Sequence, residues 1–409
     1  MKNNFLRVLG IENPDKKSIQ DLSIKLDIPV QKLKYYNDYN ILPDISELDK
    51  IEAKLSVKRY KLMLGMEIYD KELLNILRDN IDQITPILSR PYRKKSIEQK
   101  KLPIFQTQYG KLYNQDCIKL MQELESESVD LIFADPPFNL NKFYLSAIND
   151  NLSDRDYLEW CEKWIDECIR ILKTGGTFYL WNLPKWNSYL ADYLNKRLSF
   201  KHWIATDIKY TLPIAGRLYP SHYSLLMYTK GIKANTFHPD RMPMEICNNC
   251  YKEIKDYGGY KDKMNPKGIN LSDVWLDIPP VRHKKYKARE EANELSIKLL
   301  DRIIEASSNP GDIVFDPFGG SGTTYAVAEI KERNWIGTEL GPVDTIVERF
   351  SRLAEERDYL NQLRQAYNNL FTEKVKKERK KRGIWTDDTF TQLNEQGSLF
   401  NSDLVKQSR

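Results

Sequence analysis

Four consecutive residues, Asp135-Pro136-Pro137-Phe138, combine groups that could hold an amine. They follow the apolar run Val129–Ala134, which is typical of a buried strand. The two prolines fix the backbone and remove two N–H groups, so the carbonyls of Asp135 and Pro136 are rigid and available as acceptors. An aromatic ring stands beside them. The pattern predicts a site for a planar group whose amine is bonded twice.

A second segment that could do chemistry is the glycine-rich run Asp316-Pro317-Phe318-Gly319-Gly320-Ser321-Gly322-Thr323-Thr324. It follows a strand-like run and precedes a predicted helix. A phosphate-binding loop requires Lys after its last glycine, where Thr323 stands, and the dinucleotide fingerprint requires a third glycine where Tyr325 stands. An acid at the start of the loop would also repel phosphate. Asp316 therefore favours a cationic or hydroxyl-rich ligand.

A further acid, Glu339, ends the next strand-like run, Trp335-Ile336-Gly337-Thr338. An acid at this place in an α/β sheet commonly accepts a ribose hydroxyl. S-adenosylmethionine carries a ribose, an adenine, an ammonium and a sulfonium, so it suits both Glu339 and Asp316. We therefore predict S-adenosylmethionine as the cofactor and no metal ion in the site.

Together the two motifs resemble those of the DNA amino-methyltransferases, and the resemblance covers roughly residues 105–370. The catalytic motif of that family is Asp/Asn/Ser-Pro-Pro-Tyr/Phe, and its cofactor motif is a glycine-rich loop. Here the catalytic motif comes first, an order similar to that of the permuted β group. The resemblance implies an α/β, Rossmann-like methyltransferase fold with a mostly parallel seven-stranded sheet.

The resemblance also assigns roles to residues of this chain. It implies that Asp135 and the Pro136 carbonyl each accept one N–H bond from an exocyclic amine, and that a flipped-out base stacks on Phe138. It implies that Asp116 meets the adenine amine of the cofactor, and it requires no cysteine nucleophile. The expected catalytic residues are Asp135, Pro136, Pro137 and Phe138, and the expected cofactor-binding residues are Asp116, Asp316, Phe318, Gly320, Ser321, Gly322, Thr323 and Glu339.

Two positions depart from the family pattern. Phe138 stands where Tyr is commoner, so stacking is kept and a hydroxyl contact is lost. Leu295-Ser296 stands where Lys-Pro is usual, before the cofactor loop.

The identity of the base rests on an association within the family, in which Asp at the first catalytic position accompanies adenine N6 more often than cytosine N4. We expect a sequence-specific adenine-N6 methyltransferase, with cytosine N4 as the alternative. A DNA-binding regulator with an inactive methylase fold is a further alternative, which the intact Asp135, Phe138, Asp316 and Glu339 disfavour. RNA is a third possible substrate class.

Composition shifts divide the chain into five regions. We predict an all-helical region at 1–95, the catalytic half at 105–232, a target-recognition insertion at 233–290, the cofactor-binding half at 291–370 and a polar, mobile tail at 371–409. Short apolar runs between helical patterns indicate a mostly parallel sheet covered on both faces. The predicted strands lie at 111–114, 129–134, 176–181, 224–228 and 313–315.

The N-terminal region carries a pattern that resembles a helix-turn-helix. Two predicted helices, at 19–26 and 30–37, flank the breaker Asp27-Ile28-Pro29, and Ser23 supplies the small residue of the first helix. We expect a second helix that presents its polar side chains to the major groove of DNA. These side chains are Gln31, Lys32, Lys34 and Tyr35. A helical bundle without DNA contact is the alternative.

The insertion holds two further patterns. The basic run 281–289 suits phosphate contacts with DNA. Cys247 and Cys250 have metal-ligand spacing with His238 upstream, but a structural zinc site needs four ligands and the chain has no second cysteine pair, so we expect no zinc.

Composition fits a protein of the cytoplasm. The chain has 409 residues, a net charge of +5 and five cysteines without an even framework, which indicates reduced thiols. No apolar run approaches the roughly 20 residues of a membrane span, and no cleavage-site pattern follows the N-terminus. The expected partners are double-stranded DNA, a cognate restriction endonuclease and a second copy of the chain in a homodimer, with no membrane.

Overall fold

The computed structural model describes residues 4–11, 14–88, 102–140, 151–207, 215–216, 218–279 and 294–389. The basic run predicted at 281–289 lies outside the described residues. The chain divides into two compact units, Met1–Glu98 and Gln99–Arg409, a division three residues beyond the expected end of the helical region at 95.

The described part of the first unit is entirely helical. Its helices are α1 (Asn4–Val8), α2 (Lys16–Leu26), α3 (Val30–Tyr39), α4 (Ile45–Leu55), α5 (Arg59–Gly65), α6 (Lys71–Asp79) and α7 (Ile81–Leu88). Leu22, Leu26 and Leu33 pack with other buried apolar side chains in one core. This arrangement agrees with the all-α region that the sequence predicts.

The turn between α2 and α3 is closed by a left-handed residue and by one side-chain hydrogen bond. Asp27 ends α2 in the left-handed conformation with φ 57°, and the Ser23 hydroxyl donates to the Ile28 carbonyl at 2.6 Å. Lys34 and Tyr35 of α3 are exposed, whereas Lys32 forms an ion pair with Glu47. Contact between α3 and DNA stays a prediction.

The second unit is built on one mixed sheet, which contains nine strands within the described residues. The strands are β1 (Phe105–Gln106), β2 (Gly110–Tyr113), β3 (Val129–Ala134), β4 (Leu172–Asn182), β5 (Ser199–Asp207), β6 (His222–Thr229), β9 (Val274–Trp275), β10 (Ile313–Asp316) and β11 (Asn334–Thr338). Their order across the sheet is β1-β2-β11-β10-β3-β4-β6-β5-β9. Within this order, the five neighbouring strands β2, β11, β10, β3 and β4 are parallel to one another. Strand β6 is antiparallel to both β4 and β5.

Seven of these strands are the expected Rossmann-like set, and two short edge strands extend it. The chain places β1 antiparallel to β2 and β9 parallel to β5. Each edge strand has two residues, which is too short for any periodic signal. A separate pair, β7 (Arg241–Met242) with β8 (Ile269–Asn270), lies within the predicted insertion.

Helices cover both faces of the sheet, so its strands are buried on both sides, as parallel sheets usually are. The covering helices are α8 (Cys117–Glu123), α9 (Asp154–Ile171), α10 (Pro184–Asn195), α11 (Ile297–Ser307), α12 (Thr323–Ile330), α13 (Asp344–Phe350) and α14 (Leu353–Arg364). A further helix, α15 (Glu373–Lys381), packs on the predicted insertion instead. One face of the sheet forms a core with α11 and α12, and the other forms a core with α9 and α10. No helix among the described residues is long and apolar enough to span a membrane.

The expectation of a polar, mobile tail from residue 371 is wrong for the part that the structure describes. Leu370 and Phe371 are fully buried in a small core with Met244 of the predicted insertion. Helix α15 follows, and its Arg379 side chain is fully buried between Phe371 and Trp385. Arg379 donates to the Tyr251 and Trp385 carbonyls at 2.6 and 2.8 Å. These contacts attach α15 to the insertion.

This packing yields a prediction for Arg379→Ala. The substitution leaves two carbonyls without their donor and removes the guanidinium between two rings, so we expect a loss of about 1–3 kcal/mol in the free energy of unfolding. Lys380→Ala is the matched control, because Lys380 is exposed and pairs only at the surface with Asp388. Urea unfolding followed by tryptophan fluorescence reports on the second unit, which holds all eight tryptophans. Equal stability of both variants would contradict the buried role.

Candidate functional site

Four parallel strands present the predicted site residues at one edge of the sheet. In the order β2-β11-β10-β3, each strand has one acidic residue at its carboxyl end or within three residues beyond it. These positions are Asp116, Glu339, Asp316 and Asp135. With about 4.8 Å between neighbouring strands, the row spans roughly 15 Å. Ligands of open α/β sheets bind outside such carboxyl ends.

Asp316 is bonded within the glycine-rich loop itself. Its carboxylate accepts from the Phe318 N–H at 2.9 Å and from the Thr324 hydroxyl at 2.5 Å. Its side chain is 3% exposed. Burial raises the pKa of the Asp316 carboxyl to about 7, and the nearby Glu339 carboxylate acts in the same direction. These contacts shape the loop, and the ligand-binding role that the sequence predicts for Asp316 stays a prediction.

Glu339 connects the loop to the next strand. One of its oxygens accepts from the Gly320 N–H and the other from the Gly341 N–H, each at 2.8 Å. The carboxylate is partly exposed and each oxygen keeps a second lone pair, so it can still accept hydroxyl groups. A Cβ built at Gly320 would find no atom closer than 3.9 Å, which indicates open space above the loop.

The end of β2 is tied to the end of β11. The Asn114 amide donates to the carbonyls of Glu339 and Gly341 at 2.8 and 3.0 Å, and the Thr338 hydroxyl donates to the Gln115 carbonyl at 2.6 Å. Asp116 caps α8 by accepting from the Lys119 N–H. These bonds hold Asp116 and Glu339 at neighbouring positions of the edge.

Tyr325 fills the space beneath the loop where the dinucleotide fingerprint has glycine. Its ring is fully buried, and its hydroxyl donates to the Asp316 carbonyl at 2.9 Å and accepts from the Thr338 N–H at 3.1 Å. The close approach depends on Gly337, because a Cβ there would lie 2.4 Å from the ring. This packing explains why the loop departs from the dinucleotide pattern.

Arg349 of α13 holds the far end of the loop, and no pattern in the sequence indicated this role. It donates to the Thr323 hydroxyl at 2.8 Å and to the Glu294 carboxylate at 2.7 Å, and it also contacts Ser321. The Thr323 hydroxyl donates to the Leu295 carbonyl at 3.4 Å. The segment that departs from the family's Lys-Pro therefore lies against the loop.

The carbonyls of Pro137 and Phe138 are fixed by buried aromatic side chains that the sequence analysis also missed. The Tyr157 hydroxyl donates to the Pro137 carbonyl at 2.7 Å, and the Asn182 amide donates to that hydroxyl at 3.0 Å. The Trp186 indole donates to the Phe138 carbonyl at 2.7 Å. These bonds add to the rigidity that the prolines give the motif.

Phe138 belongs to an aromatic cluster at the ends of β3, β4 and β6. Its ring centroid lies 6.0 Å from that of Tyr223, which lies 4.9 Å from that of Trp181. Phe138 is only 9% exposed. The ring is therefore largely covered by its neighbours, and stacking of a base on it stays a prediction.

Three of the five cysteines are unsuited to nucleophilic chemistry. Cys117, Cys161 and Cys168 are buried. Burial raises the pKa of the Cys161 thiol to about 12 and also raises the pKa values of the Cys117 and Cys168 thiols. A thiolate is the reactive form, so these residues are inert.

Comparison with known proteins relates this site to DNA methylation. Residues 129–347 match the N6/N4 methyltransferase family model, which is described as DNA methylase. The chain is 48% identical over 368 residues to the Type II methyltransferase M.BamHI of Bacillus amyloliquefaciens, covering 89% of this chain and 86% of that protein. It is 35% identical over 230 residues to the DNA adenine methyltransferase YhdJ of Escherichia coli (strain K12), covering 55% of this chain and 76% of that protein.

A solved structure is also similar to part of this chain. PvuII DNA methyltransferase (cytosine-N4-specific) matches with a TM-score of 0.47 and 18% identity, covering 63% of this chain and 94% of that one.

The raised pKa of Asp316 yields a prediction about stability and pH. The folded chain binds this proton more tightly than the unfolded chain between about pH 4 and pH 7, so the stability contributed by Asp316 falls as pH rises through this range and is constant above it. Relative to Asp316→Asn, the wild-type free energy of unfolding should decrease by up to about 4 kcal/mol from pH 4 to pH 7. Urea unfolding followed by tryptophan fluorescence measures both proteins, and parallel pH profiles would contradict the assignment.

Proposed function

The chain belongs to the N6/N4 DNA methylase family, and we propose that it transfers a methyl group from S-adenosylmethionine to adenine N6 in double-stranded DNA. The observation that carries this proposal is the row of strand ends from Asp116 to Asp135, which sets the Asp-Pro-Pro-Phe motif beside a glycine-rich loop. Direct methyl transfer requires the donor and the amine to be held next to each other, and this arrangement of the two motifs would do so.

The residues at the edge suit the donor. Glu339 offers acceptors to ribose hydroxyls, Asp116 stands where the adenine amine would lie, and the open space at Gly320 allows close approach of the ligand to the backbone. In this proposal Phe318, Ser321, Gly322 and Thr323 also line the cofactor, and Asp316 shapes the loop instead of contacting it. When bound, S-adenosylmethionine supplies an electrophilic methyl group on a positively charged sulfur.

Asp135 and the Pro136 carbonyl act on the amine. The lone pair of an exocyclic amine is delocalised into the ring, so the free amine is a poor nucleophile. Two acceptors that each bind one N–H direct the lone pair towards the methyl group and stabilise the positive charge that develops on nitrogen. Such acceptors work best when they are fixed beforehand. Tyr157 and Trp186 are positioning residues in this scheme, because they hold the backbone of the motif.

Adenine is the first candidate for the base. Asp at the first catalytic position favours it, and the Escherichia coli relative is named as a DNA adenine methyltransferase. Cytosine N4 is the second candidate, because its amine has the same two N–H groups and the same delocalised lone pair.

Two other parts of the chain complete the proposal. Helix α3 contacts DNA through Lys34 and Tyr35, and residues 233–279 belong to the segment that reads the target sequence. The proposal includes a restriction endonuclease that recognises the same DNA sequence, and the Type II methyltransferases among the relatives support it.

The first test of this function is Asp135→Ala. Loss of an acceptor at the reacting amine should lower methyl transfer by at least about 100-fold while S-adenosylmethionine binding, measured by calorimetry, stays unchanged. Asp135→Asn keeps one acceptor oxygen and should retain part of the activity. Full transfer by Asp135→Ala would contradict the role of this residue.

The methylated base is identified by mass spectrometry of nucleosides from the DNA of a host that expresses either the wild-type protein or Asp135→Ala. We expect N6-methyladenine in the wild-type sample alone. N4-methylcytosine would correct the base and leave the amine chemistry intact. 5-Methylcytosine would contradict the mechanism, because methylation at carbon does not use two acceptors on an amine.

The positioning role of Tyr157 is tested by Tyr157→Phe. The variant loses the hydroxyl that joins Asn182 to the Pro137 carbonyl, so we expect kcat to fall about 10- to 100-fold with little change in KM for the cofactor. Tyr193→Phe is the control, since the Tyr193 hydroxyl donates to the Asp166 carboxylate at the surface. Equal kcat values for the two variants would rule out the positioning role.

A further inference from the structure

The Cys247–Cys250 pair gains a third potential ligand in the structure. The Sγ atoms of both cysteines and a carboxylate oxygen of Glu253 all lie within 4.8 Å of one another. Two ligands of a tetrahedral Zn²⁺ with bonds of about 2.3 Å are roughly 3.8 Å apart. Small side-chain rotations therefore suffice to bring the three atoms onto one ion. From the sequence alone we expected no zinc here, because a structural site needs four ligands and the chain has no second cysteine pair. The structure adds Glu253, which that expectation did not consider.

The backbone around the three residues forms a closed turn. Ile246 and Ile254 form an antiparallel bridge, the Cys247 N–H donates to the Glu253 carbonyl at 2.9 Å, and the Tyr251 N–H donates to the Cys247 carbonyl at 2.9 Å. Tyr251 has φ 58°, in the left-handed region that side chains other than glycine rarely adopt. This turn holds Cys247, Cys250 and Glu253 on one side of a short hairpin.

The hairpin also offers hydrogen bonds to sulfur. The Lys252 N–H approaches the Cys250 Sγ at 3.5 Å, within the range for a bond to sulfur. Bonds of this kind stabilise a thiolate, and groups that support ligands from outside the coordination sphere commonly tune metal sites. The two thiols are partly exposed, so an ion can reach them, unlike the three buried cysteines.

Two guanidinium groups of α15 and its C-cap balance the charge of such a site. Arg379 donates to the Tyr251 carbonyl, and Arg382 donates to the carbonyls of Asn249 and Cys250 at 2.9 and 3.1 Å. Two thiolates and one carboxylate carry three negative charges, and a divalent ion leaves one. A nearby cation offsets a remaining negative charge, so the arginines are compatible with an occupied site.

We propose that Cys247, Cys250 and Glu253 bind one Zn²⁺, with water in the fourth position. Thiolate and carboxylate ligands in a tetrahedral set suit zinc better than Mg²⁺ or Ca²⁺, which prefer oxygen ligands. With three protein ligands and an open fourth position, the site differs from closed four-ligand structural sites. The ion cross-links Cys247 and Cys250 to Glu253 and so stabilises the turn within the predicted target-recognition segment. This site lies outside the residues assigned to methyl transfer.

Metal titration of the full chain tests the proposal. The protein is stripped with a chelator under reducing conditions and titrated with Co²⁺, which should give thiolate-to-cobalt charge-transfer absorption and the strong visible bands of tetrahedral coordination at one ion per chain. Added Zn²⁺ should then displace Co²⁺ and abolish these bands. Absence of the bands in the reduced protein would overturn the proposal. The same holds if Cys247 and Cys250 are found as a disulfide and bind no Co²⁺ once that disulfide has been reduced.

Variants assign the ligands. Cys247→Ser and Cys250→Ser should each abolish the charge-transfer absorption. Loss of a group that only supports a ligand lowers metal affinity about tenfold or more, so Glu253→Gln, which loses a ligand, should weaken zinc binding at least that much. Asn248→Ala is the matched control, because this exposed residue lies between the cysteines. Bands of equal strength in Cys250→Ser and in the control would overturn the assignment.

Hydrogen exchange separates a structural ion from one bound by chance. Removal of zinc should increase exchange in peptides covering residues 244–257 and leave the helices of the first unit unchanged. Unaltered exchange in 244–257 would overturn the structural role.

Discussion

The parallel pairing of β10 with β3 is the interaction on which the candidate site depends. Val314 lies opposite Leu131 and Phe315 opposite Ile132, so two motifs that are far apart in the sequence end at the same edge of the sheet. Pairing of β10 with β11 and of β11 with β2 extends the edge to Glu339 and Asp116. A slip of one residue in any pair would turn the side chains of that strand to the opposite face.

Fixed backbone groups, more than charged side chains, give this edge its chemical character. The carbonyls of Pro137 and Phe138 are held by buried donors, and the loop is held by Tyr325 from below and by Arg349 from the side. Groups fixed in this way need not reorganise when charge develops, which is the main source of electrostatic catalysis. The buried Asp316 serves the same end, since both of its oxygens are bonded within the loop.

Much of the second unit could be predicted because its strands are apolar runs between helical patterns. Val129–Ala134 was predicted at its observed limits, and β4 extends the predicted run at 176–181 in both directions. Positioning residues escaped prediction for a physical reason: Tyr157 and Trp186 lie on helices, where an aromatic residue on the apolar face indicates only core packing. Arg349 and Arg379 escaped because nothing in a polar helix distinguishes an arginine that becomes buried through long-range packing. The catalytic and cofactor roles inferred from the motifs remain predictions.

The central claim is that the amine-binding motif and the methyl-donor site share one sheet edge. A crystal structure of the chain with S-adenosylhomocysteine bound tests it most directly. The account predicts ribose hydroxyls within hydrogen-bonding distance of Glu339, the adenine near Asp116, and the sulfur directed towards Asp135. A ligand bound away from the glycine-rich loop, or with its sulfur directed away from Asp135, would contradict the account.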